Sequence, residues 1–251
     1  MAKTKKVSAN KKSSNKRKNR QGKATSPRSR GSAPAAPEAI TDARRVHAIL
    51  SKLEEAYPSA TCALTHENPF QLLISTILSA QCTDERVNQV TSVLYKKYRT
   101  PQDFALANPA ELEKEIRPTG FFRNKTKSVI GASKKIVEEF QGNVPKTMDE
   151  LLTLPGVARK TANVVLGTAF GIPSGIVVDT HVQRLSQRLD LTRNDDPKKI
   201  EQDLMRIIPQ DRWIQFSHQL IWHGRRVCQA RKPKCLECNL ETLCHSKDKT
   251  N

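Results

Sequence analysis

The feature that most constrains this chain is a set of four cysteines close to its C-terminus. Cys228, Cys235, Cys238 and Cys244 follow the spacing C-x6-C-x2-C-x5-C. Four thiolates within so short a segment predict a metal centre, because thiolates hold both iron–sulfur clusters and structural zinc. A [4Fe-4S] cluster is favoured over zinc, since structural zinc sites usually combine two short hooks and this segment has a single C-x2-C. Disulfide bonds are the remaining alternative.

Nothing in the sequence indicates secretion, which argues against disulfides. The N-terminus lacks an apolar signal core, and no apolar stretch approaches the length of a membrane span. We therefore expect no membrane partner, and a location in a bacterial cytoplasm beside the nucleoid, or in the nucleus of a eukaryote. Cys62 and Cys82 lie far from the other four along the chain and are expected to be ordinary buried thiols.

The charge balance predicts a polyanionic partner such as nucleic acid. The chain has 43 Lys and Arg against 25 Asp and Glu, a net charge of +18. Residues 1–38 hold twelve Lys and Arg and one Glu. They have almost no large apolar side chains and cannot offset their chain entropy. We predict a disordered basic tail that raises DNA affinity or directs nuclear import. A tail with no specific partner and a mitochondrial transit peptide are the alternatives.

Beyond the tail, the helix signals predict an all-α fold. Asn68-Pro69, Asn108-Pro109 and Asp196-Pro197 each pair a capping residue with proline at the first helical position. Residues 72–78 are apolar around most of a helix, which we expect to lie at the centre of a core. Residues 147–150 are typical of a capping box. No alternating pattern or hairpin turn indicates a strand.

A short turn lies between two predicted helices and suits a phosphate. The segment reads L-P-G-V-A-R-K-T-A, with Gly156 in the turn and Arg159 and Lys160 starting the next helix. A helix N-terminus offers unpaired N–H groups, and a tight glycine turn lets an anion approach the backbone. An ordinary corner between two helices has a similar sequence.

These motifs together resemble the endonuclease III family of DNA glycosylases. The L-P-G-V-x-R-K-T-A hairpin, the segment 178–181 (V-D-T-H) and the cysteine ending come in the family's order, and residues 78–84 are also similar. The resemblance covers about residues 40–246. It implies a two-lobed helix-hairpin-helix fold with a C-terminal iron–sulfur cluster loop. A six-helix barrel domain, residues 60–172, would contain the hairpin at 147–170, and a four-helix iron–sulfur domain would combine residues 40–59 and 173–246.

The resemblance also implies a monomeric bifunctional enzyme of base excision repair. It would remove oxidised pyrimidines from double-stranded DNA and cleave at the abasic site through a lysine Schiff base. Lys160 matches the family's nucleophile, and Asp179 matches the aspartate that stabilises positive charge on the sugar. Taken alone, Lys160 is also explained as a phosphate contact and Asp179 as a helix N-cap. The competing functions are an adenine-mismatch glycosylase of the same superfamily, which lacks the lysine, and a non-catalytic DNA-binding module.

The DNA contacts follow from the same resemblance. Gln81 would fill the space left by the extruded nucleotide, and Phe121 would be the wedge between bases, although Phe122 is an alternative. Core packing is the other explanation for both phenylalanines. The remaining predicted contacts lie on the hairpin, beside Asp179 and in the cysteine loop: Gly156, Ala158, Arg159, His181, Arg231, Lys232 and Lys234. Ala158 stands where the family usually has a second glycine. It would be strained if that position requires a positive φ.

Overall fold

A computed structural model describes residues 42–250, which are helical with no strand, so the all-α prediction is confirmed for that part of the chain. The predicted tail, residues 1–38, lies outside the described residues. The α-helices, numbered in chain order, are α1 Ala43–Ala56, α2 Pro69–Leu78, α3 Asp84–Lys97, α4 Pro101–Ala105, α5 Pro109–Ile116, α6 Phe122–Phe140, α7 Met148–Leu152, α8 Arg159–Phe170, α9 Thr180–Arg188, α10 Pro197–Ile207 and α11 Trp213–Arg226. Short 3-10 turns occur at Arg117–Thr119, Gln210–Arg212, Cys235–Glu237 and Glu241–Leu243.

The predicted capping signals begin helices as expected. Asn68, Asn108 and Asp196 each accept hydrogen bonds from backbone N–H groups in the first turns of α2, α5 and α10. Thr147 caps α7, but the predicted capping box is incomplete. Its hydroxyl donates to the Glu150 carboxylate at 2.6 Å, and that carboxylate therefore serves the hydroxyl rather than a backbone N–H. A complete capping box that we did not predict starts α4.

Two hydrophobic cores organise the described residues. The first surrounds α2, in which every residue from 70 to 78 is buried, and it gathers side chains from α3 to α8. This confirms that α2 lies at the centre of a core. The second core combines α1 with α9, α10 and α11, and Leu53, Leu204 and Phe216 are fully buried there.

The predicted domain bounds stay a prediction, which the two cores support. The first core uses residues 64–166, and the second uses residues 46–60 and 176–240. The range 60–172 contains seven α-helices, two of them only five residues long, whereas α1 and α9 to α11 lie in the other two ranges. The chain therefore leaves the second core after α1 and returns to it after α8.

Candidate active site and cysteine loop

A pocket with an empty volume of about 630 Å³ is lined by elements of both cores. Lys160, at the start of α8, and Asp179, immediately before α9, both line it. The structure therefore brings together the two residues that the sequence predicts to be catalytic. Between these two residues the chain runs through α8 and then through a loop without regular secondary structure.

The hairpin before α8 depends on Gly156. Its φ is +78°, and a Cβ built there would lie 2.5 Å from the Ser128 Cβ, so the position requires glycine. Ala158 has φ −100° and ψ 170°, which is extended backbone that any residue adopts. The predicted strain at Ala158 is therefore absent. Ala158 is the N-cap of α8 and has no side chain to cap it, so N–H groups of the first turn remain open to an anion.

Arg159 is not a free cation of the hairpin. Its Nε donates to Glu201 Oε2 at 2.8 Å, and Asn163 Nδ2 donates to Glu201 Oε1 at 2.8 Å. Glu201 belongs to α10 and is only 5 % exposed. The predicted DNA contact therefore also joins the helix that carries Lys160 to α10. Only part of the guanidinium is left for a phosphate.

Asp179 is an N-cap as well as a pocket residue. Its Oδ1 accepts hydrogen bonds from the backbone N–H groups of His181 and Val182, both at 2.8 Å. Capping thus occupies one carboxylate oxygen. His181 is partly buried, and its Nδ1 lies 3.2 Å from Arg184 Nη2. Burial lowers the pKa of His181 and favours the neutral ring, which suits packing beside the site.

Gln81 and Phe121 are both exposed and both have left-handed backbone conformations, with φ of 55° and 48°. The Phe121 side chain is 63 % exposed. Phe122, in contrast, is partly buried and packs against the first core. Core packing therefore explains Phe122 and does not explain Phe121.

Sequence reasoning did not predict the contacts that several residues make around the pocket. The Trp222 indole lines it and donates to the Thr61 carbonyl oxygen at 3.1 Å. Arg225 Nη2 donates to Asp84 Oδ2 at 2.6 Å, which links α11 to α3 across the two cores. These contacts join residues more than 100 positions apart, and no local pattern announces them.

Cys62 also lines this pocket, and it is partly rather than fully buried, as is Cys82. The prediction that both thiols are buried was therefore wrong. Both are partly exposed, and Cys62 lines the pocket. Burial nevertheless raises the pKa of the Cys62 thiol.

All four C-terminal cysteines line a second pocket, with an empty volume of about 350 Å³. Burial raises the pKa of Cys238 to about 11, and negative charge on the other three cysteines adds to the rise. Among residues 42–250, no three His, Cys, Asp or Glu side chains are arranged to hold a metal ion as they stand. The presence of four thiols around one pocket nevertheless fits a thiolate-bound metal group.

Two arginines of α9 hold the cysteine loop. Arg184 Nη2 donates to the Cys228 carbonyl at 3.0 Å, and Arg188 Nη1 donates to the Cys228 sulfur at 3.2 Å and to the Gln229 carbonyl at 2.7 Å. The predicted phosphate contacts of the loop are all exposed: Arg231, Lys232 and Lys234. The loop therefore presents cations outward while α9 fixes its backbone.

No helix between residues 42 and 250 is long and apolar enough to cross a membrane.

Comparison with known proteins agrees with this geometry. Residues 74–210 match the family model described as HhH-GPD superfamily base excision DNA repair protein. The chain is 59 % identical to endonuclease III of Synechocystis sp. over 203 residues, covering 81 % of this chain and 93 % of that protein. It is 39 % identical to endonuclease III of Escherichia coli K12 over 203 residues, covering 81 % and 96 % respectively.

Solved structures of endonuclease III proteins are also similar to this chain. A non-covalent complex of an endonuclease III with DNA superposes with a TM-score of 0.78 at 45 % identity, covering 82 % of this chain and 96 % of that one. A trapped covalent intermediate of an endonuclease III with DNA gives a TM-score of 0.78 at 44 % identity, with the same coverage. The chain therefore belongs to the endonuclease III family of helix-hairpin-helix DNA glycosylases.

Proposed function

We propose that this protein is a base-excision-repair DNA glycosylase with abasic-site lyase activity. It removes oxidised pyrimidines from duplex DNA and then cleaves the strand on the 3′ side of the abasic site. The observation that carries the proposal is that Lys160 and Asp179 line one pocket between the two cores. The relatives named endonuclease III, and the covalent DNA complex of one of them, support the same activity.

Lys160 supplies the nucleophile. Its neutral amine attacks the sugar C1′, the bond from C1′ to the base breaks, and the base leaves with the electron pair and takes up a proton. Loss of a proton from nitrogen and opening of the ring give a Schiff base between Lys160 and C1′. Removal of a C2′ proton then expels the 3′ phosphate. Lys160 is exposed in the pocket and can reach a nucleotide that has left the helix.

Asp179 stabilises the sugar as positive charge develops on it. The N–H groups of His181 and Val182 fix its Oδ1. The same two bonds begin α9, so the N-cap geometry and the proposed electrostatic role use the same rigid arrangement. The structural and functional explanations of Asp179 are therefore compatible.

Duplex DNA would be held by the remaining predicted contacts. The open N-terminus of α8 and the left-handed Gly156 suit a phosphate, and the exposed cations of the cysteine loop suit another. Gln81 would occupy the space that the extruded nucleotide leaves, and Phe121 would be the wedge between bases. The exposure of Phe121 supports its choice over Phe122 as the wedge.

We further propose that Cys228, Cys235, Cys238 and Cys244 hold a [4Fe-4S] cluster. The group would serve as a structural crosslink that fixes the cysteine loop against α9. The four thiols around one pocket and the arginine bonds to the same loop support this assignment. The bacterial origin of the relatives named above supports a location beside the nucleoid.

Borohydride trapping tests the activity. The protein is mixed with a duplex that contains thymine glycol, and reduction is expected to produce a covalent protein–DNA complex. Lys160→Gln should abolish the complex, whereas Lys134→Gln, an exposed lysine on α6, should leave it unchanged. If the intact protein forms no complex on this duplex or on one with an abasic site, the proposal of a lyase is wrong. The adenine-mismatch alternative, which Lys160 does not favour, would instead show base release from an adenine mismatch without trapping.

A further inference from the structure

Lys125 is a buried lysine whose ammonium group bonds to backbone carbonyls alone. The residue is 5 % exposed on α6, and Nζ donates to the Leu78 carbonyl at 2.8 Å and to the Thr119 carbonyl at 2.7 Å. Among residues 42–250, no carboxylate forms an ion pair with it. Burying an unpaired charge is unfavourable, and the two carbonyl groups offset part of that cost.

Both carbonyls lie at the ends of helical segments. Leu78 is the last residue of α2, and Thr119 is the last residue of the 3-10 turn Arg117–Thr119. A helix C-terminus leaves carbonyl groups without partners and carries partial negative charge. A single ammonium that donates to both ends therefore compensates two helix termini and fixes the distance between them.

The chain that follows each carbonyl leads to a residue with proposed DNA contacts. Gln81 lies three residues after Leu78, and Phe121 lies two residues after Thr119. Both have positive φ, a conformation that non-glycine residues rarely adopt and that persists when neighbouring structure holds it. The backbone N–H of Lys125 also donates to the Phe121 carbonyl at 3.1 Å. That backbone bond is the ordinary first bond of α6, whereas the side chain of Lys125 links the segment of Phe121 to the helix end before Gln81.

We propose that Lys125 is a positioning residue that sets Gln81 and Phe121 relative to each other, so that both enter the duplex together when a nucleotide is extruded. The inference rests on the proposed function of those two side chains. Lys125 itself would touch neither the DNA nor the reacting atoms. Its role would thus be confined to substrates in which a base stack must be opened.

Two substrates separate this role from general stability. One is a duplex with an oxidised pyrimidine, where the stack must be opened, and the other is a single strand with an abasic site, where it need not be. Lys125→Met keeps the side-chain length and removes the donor. We expect single-turnover excision on the duplex to fall about tenfold to a hundredfold, as for a misplaced positioning group. Cleavage of the abasic single strand should keep its rate.

The matched control is Lys134→Met, the same substitution at an exposed position of the same helix, which should leave both rates unchanged. A second test uses the double variant Gln81→Ala and Phe121→Ala. In that background Lys125→Met should cause little further loss, because the side chains that it positions are gone. Fluorescence of 2-aminopurine beside the lesion should also rise less with Lys125→Met than with the intact protein.

An equal loss on both substrates, or full additivity in the double-variant background, would overturn the proposal. If Lys125→Met does not fold, Lys125→Leu, which also removes the donor, undergoes the same pair of assays with the same criteria. Failure of the proposed function is recognised separately, because the intact protein would then fail to cleave the abasic single strand as well as the duplex.

Discussion

Two nearby residues of the hairpin, Gly156 and Ala158, have different backbone conformations, and these decide whether a side chain fits at each position. Gly156 combines a φ of +78° with a close approach to Ser128. Ala158 is extended and precedes the first turn of α8. The glycine at 156 is therefore a steric requirement, whereas position 158 accepts any L residue. The departure of this chain from the usual L-P-G-V-G sequence has no conformational consequence.

Gly156→Ala should lower the free energy of unfolding by about 3 kcal/mol, because the new Cβ adds a clash to the left-handed strain. Gly171 is the matched control. Its φ is +66°, but a Cβ there meets nothing within 4 Å. Gly171→Ala should therefore cost only about 1 kcal/mol. Urea denaturation measures both values, and equal losses would show that Ser128 yields to the added methyl group.

Substitutions at position 158 are expected to affect folding stability and duplex DNA binding in opposite directions. Ala158→Ser should stabilise the protein by about 1 kcal/mol, because its hydroxyl can cap α8, which has no side-chain cap. Ala158→Asp should stabilise it comparably but weaken duplex binding, because its carboxylate would occupy the proposed phosphate position. Urea denaturation and fluorescence anisotropy measure the two effects. If Ala158→Asp binds duplex DNA as tightly as Ala158→Ser does, the hairpin is not a phosphate site.

The sequence motifs identify the two proposed catalytic residues, but they do not identify the residues that surround them. Lys160 and Asp179 each lie in a short motif, and the structure places both on one pocket. Glu201, Trp222 and Lys125 are important through contacts with distant parts of the chain. Each resembles an ordinary helical residue in the sequence, because no local spacing reports a partner more than 30 positions away.

At the scale of the element, helix starts are predictable because a cap is a local interaction. Asn68, Asn108 and Asp196 bond to N–H groups within three residues, and a sequence window contains both partners. The cysteine loop is different. Its spacing predicts a metal centre, yet its backbone is fixed by Arg184 and Arg188 of α9. The sequence therefore predicts what the loop binds but not how the loop is held.

The cysteine loop provides the test of the cluster. Cys238→Ser should remove the visible absorption of a [4Fe-4S] group and lower the melting temperature, since metal binding contributes to folding stability. Cys62→Ser, which changes a thiol outside the loop, should keep the full absorption. Iron and sulfide analysis accompanies the spectra. A colourless intact protein with stoichiometric zinc would contradict the iron–sulfur proposal. The four cysteines would then be assigned as zinc ligands.

At the scale of the molecule, residues 42–250 form two hydrophobic cores, and the proposed active-site pocket is lined by elements of both. Asp84 and Arg225 bond across the cores at 2.6 Å, and Trp222 bonds to Thr61 beside the same pocket. The all-α class and the central position of α2 were predictable from hydrophobic pattern. The cross-core bonds were not, because they depend on how the chain returns to the second core after α8.

Positive charge is distributed over the whole chain but is densest at its N-terminus. Residues 1–36 contain twelve Lys and Arg and no acidic residue, whereas the chain as a whole has a net charge of +18. Neither of the proposed catalytic residues, Lys160 and Asp179, lies in this segment. A polycation joined to a DNA-binding body adds affinity through release of counterions, which is independent of sequence and of the damaged base.

Deleting residues 1–36 should therefore weaken duplex binding and flatten its dependence on salt. The slope of log K against log salt concentration should fall by about 0.9 for each phosphate that the tail neutralises in the intact protein. Single-turnover excision at saturating enzyme should be unchanged, because Lys160 and Asp179 remain in place. A tail of the same length with its Lys and Arg replaced by Gln separates charge from length, and it should behave like the deletion. An unchanged slope in both variants would show that the tail does not bind DNA, and the basic surface of residues 42–250 would then account for all of the salt dependence.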